Sequence, residues 1–91
     1  MNDTTRIARS KGVLSRTTGG EAILLDTVGG AYFGLNTVGA RAWEIIGENG
    51  TTRGALIEAL LAEHEVTRDV LTRDVDDLLT ALEKRRLVQL S

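Results

Sequence analysis

The sequence predicts an α+β domain of the winged helix-turn-helix type, in which an N-terminal three-stranded antiparallel sheet is followed by three α-helices. Short apolar runs separated by glycine and threonine turns fill residues 12–35. A period near 3.6 residues begins after Asn36 and continues almost to the C-terminus. At 91 residues the chain has the size of one domain, which we place at residues 12–91. Residues 1–11 show no period and are expected to form a flexible lead-in.

Three apolar runs predict the three strands. Each run is short and is bounded by residues that favour turns, as half-buried strands are. The pair Gly29-Gly30 predicts a tight two-residue hairpin, because glycine readily adopts the positive φ that such turns require. The runs are Val13-Leu14, Ala22–Leu25 and Ala31–Leu35.

Three helices are predicted from capping residues and apolar stripes. Asn36 or Thr37 caps the first helix, and Thr51 or Thr52 caps a second that extends to His64. A short turn leads to the third helix, residues 67–86, and residues 87–90 are expected to end as a short strand. The stripes consist of Val38, Ala42, Ile45 and Ile46 beside Trp43, then Leu56, Ile57, Leu60 and Leu61, then Leu71, Val75, Leu78, Leu79 and Leu82.

Composition excludes several classes of function. The chain has no cysteine and one histidine, so it offers no disulfide, thiolate nucleophile or zinc ribbon, and we expect neither cofactor nor metal. Its formal net charge of −2 argues against a nucleic-acid or anionic-membrane partner. No apolar run approaches the roughly 18 residues of a membrane span, and the polar start lacks a signal-peptide core. These features favour a cytoplasmic location.

The third helix tests the idea of DNA binding, which the helix-turn-helix arrangement suggests. Residues 67–84 carry three basic and five acidic side chains, so the surface that would face phosphates is negative. The group Asp74, Asp76 and Asp77 is expected to be a solvated helix face, since no calcium-type loop or second acidic cluster accompanies it.

The run Ala31–Leu35 is the segment that most favours a binding function. It carries no charge, and the chain contains no proline, so an edge strand here would be unprotected against pairing. Two interpretations stay open on the pattern alone. The run is an ordinary hairpin strand that contributes to the core, or it accepts an extended peptide as an added strand.

One ordered set of residues extends over most of the chain. The set consists of Leu25-Asp26, Gly30–Asn36, Gly39, Trp43, Gly50-Thr51, Asp74-Val75, Asp77–Leu79, Leu82 and Leu87-Val88. It resembles the PqqD family, and more narrowly the stand-alone leader-recognition proteins (RiPP recognition elements) of lasso-peptide biosynthesis. Two departures are Arg86, where glycine is usual, and His64, where an aromatic residue is common.

The resemblance implies a non-catalytic adaptor. Such a protein binds the N-terminal leader of a ribosomally made precursor, often with a tyrosine and a proline three residues later, and presents it to a separate leader peptidase. The core peptide then passes to a cyclase resembling asparagine synthetase. Two alternatives are a PqqD-like chaperone for a radical SAM enzyme and a winged-helix DNA-binding regulator. A monomer is expected, with dimerisation through the open edge as a second option.

The resemblance also implies that the leader pairs with the backbone of the third predicted strand and lies against the third helix. The strand residues are Ala31, Tyr32, Phe33, Gly34 and Leu35. On the helix, spacing of 100° per residue places Val70, Asp74, Asp77 and Ala81 on one flank of the apolar stripe, and the opposite flank is fully polar. We therefore expect the leader on the first flank, with Arg73 at its rim. The predicted helix residues are Val70, Arg73, Asp74, Asp77, Leu78 and Ala81.

Overall fold

The computed structural model describes all 91 residues as six strands and three helices, and the predicted α+β class is confirmed. The elements are β1 Arg6–Arg9, β2 Val13–Thr18, β3 Glu21–Asp26, β4 Tyr32–Leu35, α1 Thr37–Ile46, β5 Thr51–Thr52, α2 Arg53–Glu63, α3 Arg68–Lys84 and β6 Val88–Leu90. Strands β2, β3 and β4 form one antiparallel sheet, and β5, β1 and β6 form a second in that spatial order. None of the three helices combines the length and apolarity needed to cross a bilayer.

The first sheet is the predicted three-stranded sheet, with β3 at its centre. Along β3, Ala22 and Leu24 are buried while Ile23 and Leu25 are exposed, because successive side chains of a strand point to opposite faces. One face of the sheet therefore packs on the helices. The other face is open to solvent.

One of the two hairpin turns of this sheet agrees with the prediction and the other differs from it. Gly19 and Gly20 both have positive φ and connect paired Thr18 and Glu21, as a two-residue type I′ turn requires. The turn at Gly29-Gly30 is not a two-residue hairpin, so that prediction is wrong. There residues 27–30 form the loop, only Gly30 has positive φ, and its amide donates to the Asp26 carbonyl at 2.8 Å.

The N-terminus also differs from the prediction. Residues 6–9 are not a flexible lead-in but strand β1, which pairs with β5 on one side and β6 on the other. Ile7 is completely buried in the main core. The sequence pattern does not show this strand because only one of its four side chains is buried, too few to produce an alternation.

Each helix begins at a capping residue; the sequence identified Asn36 and Thr52 as candidate caps, and Thr67 only as the start of the third helix. The side chains of Asn36, Thr52 and Thr67 each accept a hydrogen bond from the amide three residues later. The apolar stripes pack against β3, β1 and β6 in a single core of 17 hydrophobic residues that includes Trp43. In the predicted stripes, Val38, Ile45, Leu61 and Leu78 are only partly buried.

The C-terminus of α3 forms a Schellman motif. The Leu87 amide donates to the Leu82 carbonyl at 2.8 Å, and the Arg86 amide donates to the Glu83 carbonyl at 2.9 Å. Arg86 has a φ of 61°, the only positive value outside glycine. The resemblance implies glycine here, and a left-handed backbone is the conformation that favours glycine at the end of a helix. The motif turns the chain sharply from α3 into the predicted terminal strand, which is present as β6.

An ion pair fixes α2 relative to α3. The Arg53 guanidinium donates to both carboxylate oxygens of Asp76, at 2.6 and 2.8 Å, and also to Asp3 at 2.9 Å. These hydrogen bonds hold the pKa of Asp76 below its ordinary value of 3.8. Asp76 therefore belongs to the scaffold and orients the face of α3 that lies toward the first sheet.

Substitution of Ile7 tests the role of β1. We expect Ile7→Ala to lower the free energy of unfolding by about 2–4 kcal/mol, because it empties a fully buried site. The matched control is Ile23→Ala, which removes the same atoms from a side chain that is 55% exposed and is expected to cost less than about 1 kcal/mol. Urea denaturation of both variants measures the difference. Equal losses would contradict a structural role for the N-terminal strand.

The Asp76 ion pair predicts a pH-dependent contribution to stability. Because folding lowers the pKa of Asp76, the contribution is present above its unfolded pKa and is lost as the pH falls through the lower folded value. We expect Asp76→Asn to reduce the free energy of unfolding at pH 7 by roughly 1 kcal/mol, since the pair is partly solvent-screened. The deficit should disappear in strong acid. Asp77→Asn, the adjacent exposed position, should show no such deficit; an equal one would contradict the pairing.

Candidate functional site

Strand β4 is an edge strand whose outer side is unpaired. The Ala31 carbonyl accepts a hydrogen bond from the Asp26 amide at 2.9 Å, so Ala31 faces β3. Backbone groups alternate along an antiparallel strand, which directs those of Phe33 and Leu35 to β3 as well. Tyr32 and Gly34 therefore present their N–H and C=O groups at the open edge. An added strand would pair with these two residues.

A groove of about 400 Å³ lies between this edge and helix α3. Its walls come from β4 and α3, and its floor comes from α1 and α2; we refer to it as the β4–α3 groove. Seven of its 11 lining residues are hydrophobic, so it suits apolar side chains. The lining residues are Phe33, Gly34, Leu35, Asn36, Val38, Gly39, Ala42, Leu60, Asp74, Val75 and Leu78.

The start of α1 shapes one end of the groove. Asn36 ends β4 and caps α1 by accepting from the Gly39 amide at 2.9 Å, so the strand turns directly into the helix. A Cβ added at Gly39 would lie 3.3 Å from Leu35 Cδ2, which is tighter than an ordinary contact. The missing side chain thus lets α1 pack closely on the end of β4. This contact places Val38 and Ala42 at the groove floor.

The predicted strand residues occupy the expected edge. Phe33 is half-buried and Leu35 is buried, and both line the groove. Tyr32 is 73% exposed and its side chain points to the solvent face of the sheet. A Cβ added at Gly34 would meet no atom within 4 Å, so the surroundings of this residue are open. Ala31 lies just before β4 and is exposed.

The predicted helix residues divide into two groups. Asp74 and Leu78 line the β4–α3 groove, whereas Arg73 and Asp77 border a separate polar depression with Asp69, Thr72 and Asp76. Val70 is 51% exposed one turn before Asp74, and Ala81 is half-buried. A contribution of Val70, Arg73, Asp77 and Ala81 to binding stays a prediction. No three His, Cys, Asp or Glu side chains are grouped to hold a metal ion.

The sequence interpretation missed two parts of this site. The floor residues Val38, Gly39, Ala42 and Leu60 come from two other helices, and no local pattern joins them to β4. The second part is Arg85, whose guanidinium carbon lies 5.0 Å from the centroid of the Phe33 ring. Helical spacing could have predicted its position, because a rotation of 100° per residue places Arg85 between Asp74 and Leu78 around the helix axis.

The solvent face of the first sheet carries an apolar patch. Leu14 pairs with Leu25, and Leu25 pairs with Tyr32, so three large side chains lie in line across the three strands. Ile23 lies beside them, and all four are exposed, from 38% at Leu25 to 73% at Tyr32. We refer to Leu14, Ile23, Leu25 and Tyr32 as the outer sheet face. Such patches are typical of interaction surfaces.

Comparison with solved structures finds two similar chains. One, described as TbiB1 in complex with the TbiA(β) leader peptide, is 34% identical with a TM-score of 0.82, over 90% of this chain and 94% of that chain. The other, lasso peptide synthetase B1 complexed with the leader peptide, is 24% identical with a TM-score of 0.77, over 91% of this chain and 96% of that chain. The second likeness concerns the fold alone.

Comparison at the sequence level gives a family. No match to this chain is found among curated proteins. The family model described as coenzyme PQQ synthesis protein D (PqqD) matches residues 21–88, which include β3, β4, all three helices and the start of β6. The match extends over well more than half of the chain. This protein therefore belongs to the PqqD family.

Proposed function

We propose that this protein binds the N-terminal leader of a ribosomally made precursor peptide and performs no chemistry itself. The observation that carries the proposal is the unpaired edge of β4 beside an apolar groove. An extended peptide added at this edge gains backbone hydrogen bonds from Tyr32 and Gly34. Its alternate side chains enter the groove, where they contact Phe33 and Leu78.

One solved relative supports the same ligand class. TbiB1, which shares 34% of its residues with this chain, is in complex with a leader peptide. A lasso-type leader with tyrosine and, three residues later, proline fits this surface in chemical terms. The tyrosine ring is an apolar body with a polar tip, and the groove combines an apolar floor with Asn36 and Asp74 at its wall.

Delivery of the precursor to a separate leader peptidase requires a second surface on this protein. After leader removal, a cyclase resembling asparagine synthetase completes the product. The outer sheet face supports this proposal, because it remains exposed when the groove on the opposite side of the sheet is occupied. Its four apolar side chains fit a protein surface of similar character. We place both partners and this protein in the cytoplasm.

Proline at Gly34 tests strand addition. Gly34→Pro removes an N–H that faces the open edge and leaves the β3 hydrogen bonds intact, and proline is tolerated in that setting. We expect it to weaken leader binding at least tenfold, since the ring also obstructs the incoming strand. The matched control, Gly34→Ala, keeps the N–H and adds a Cβ into open space, so it should bind normally.

The measurement is isothermal titration calorimetry with the TbiA(β) leader peptide and the leader of this protein's own precursor. An amide NMR titration accompanies it and should show shifts in residues 31–35 and 70–81. Circular dichroism verifies the fold of both variants. Unchanged leader binding by folded Gly34→Pro protein would contradict pairing at β4, and shifts confined to other elements would contradict the site.

An acidic substitution on the outer sheet face separates the two surfaces. We expect Ile23→Asp to leave the affinity for leader unchanged and to slow leader removal by the peptidase about tenfold or more, because a charge is then buried in an apolar interface. The control is Val28→Asp, which introduces the same charge at a loop residue that is 85% exposed and lies off this face. Normal cleavage with Ile23→Asp would exclude this face as the docking surface.

A further inference from the structure

Helix α3 leaves two charged groups without ion-pair partners on the side that faces β4. Asp74 lines the β4–α3 groove, and the Arg85 guanidinium lies over the Phe33 ring at 5.0 Å. Neither takes part in any of the salt bridges, which use Arg41, Arg53 and Arg68 with Asp3, Glu44, Glu58, Glu63 and Asp76. Both groups are exposed and free to meet a ligand.

Asp74 lines the groove, and Arg85 lies beyond the groove's other α3 residues, over the ring of the lining residue Phe33. Arg85 follows the last turn of α3 and contacts Phe33, near the start of β4. Asp74 lies three turns earlier on α3, roughly 16 Å away along the axis at 1.5 Å per residue. A strand in the groove advances about 3.3 Å per residue, so it covers that distance in about five residues.

We propose that Asp74 and Arg85 select the leader by its charge pattern, with a basic residue beside Asp74 and an acidic residue beside Arg85, about five residues apart in the leader. This inference rests on the proposed function. Arg85 suits a carboxylate because its planar guanidinium stacks on the Phe33 ring while its N–H edge stays available for a bidentate contact. The Asp74 carboxylate accepts hydrogen bonds from a lysine or arginine side chain of the leader.

The charge pattern also sets the direction of the leader. Antiparallel pairing is slightly more stable per residue than parallel pairing. A leader antiparallel to β4 runs from the Asp74 end of the groove to the Arg85 end, because β4 runs from Phe33 toward Asn36. The basic residue then precedes the acidic one. In a leader with the opposite order, each charge would meet a like charge, which raises the dissociation constant.

The effect is one of selectivity more than of affinity. Partly exposed ion pairs contribute little each, and reversal replaces two attractions by two repulsions, so the preference is expected to be about three- to thirtyfold. It should shrink in concentrated salt, because screening weakens exposed charge interactions. The backbone hydrogen bonds and the apolar groove supply the remaining affinity, which is independent of charge order.

Two series of synthetic peptides on a common Tyr-Ala-Ala-Pro scaffold test this proposal. Each peptide carries one lysine and one glutamate about five residues apart, in the order Lys then Glu in one series and Glu then Lys in the other. The pair is moved along the scaffold one residue at a time, which finds the best register for each order. An uncharged scaffold peptide and the TbiA(β) leader peptide complete the set. Fluorescence anisotropy measures affinity.

We expect the best Lys-then-Glu peptide to bind more tightly than the best Glu-then-Lys peptide. The Asp74→Lys, Arg85→Glu double variant should invert this order, and Arg85→Gln should reduce the preference while its control Lys84→Gln leaves it unchanged. Equal binding of both orders, or a preference that survives the double reversal, would overturn the charge selection. Binding of the uncharged scaffold peptide would still support the proposed function in that case. Absence of binding by every peptide, including the TbiA(β) leader, would contradict both.

Discussion

The open outer edge of β4 is the constraint on which the rest of this structure depends. An unpaired strand edge is available for pairing only if no element of the same chain covers it, and its groups must stay solvated when no ligand is bound. Here α3 lies beside the edge but is separated from it by the β4–α3 groove, so the helix does not pack onto the edge. Arg53 holds α3 to α2 through Asp76, and Leu71, Val75, Leu79 and Leu82 anchor it in the core. The helix therefore forms a wall without closing the edge.

The second sheet makes this arrangement possible. Strands β1, β5 and β6 join both chain ends to the start of α2, and Ile7 and Val88 bring this small sheet into the common core. The second sheet therefore holds α2 through β5 and α3 through β6 without pairing with β4. The first sheet needs to bury only one face, through Ala22, Leu24 and Leu35. Its edge and its outer face both remain accessible.

Local signals explain which features the sequence could predict. The helices follow from their apolar periods and, for the first two, from the caps Asn36 and Thr52, whose roles are set within three residues. The run Ala31–Leu35 is likewise recognisable as a strand from its own residues, but its pattern alone leaves open whether it is an ordinary hairpin strand or accepts a peptide. Strand β1 carries no such signal, since it pairs with strands of two and three residues that lie far away in the chain. The groove floor was missed for the same reason: Ala42 and Leu60 meet only after α1 and α2 have packed.

The distribution of charge connects folding to recognition. The ion pairs of the scaffold join α1 to α2 through Arg41 and Glu63, and α2 to α3 through Arg53 and Asp76. A charge engaged in such a pair is a poor ligand, because a binding partner must first displace a bidentate contact of about 2.8 Å. Asp74 and Arg85 are not engaged in such pairs, because strand β4 opposite them carries no charged side chain. The same uncharged β4 that leaves backbone groups open to a peptide thus leaves the charges of α3 available to read that peptide's side chains.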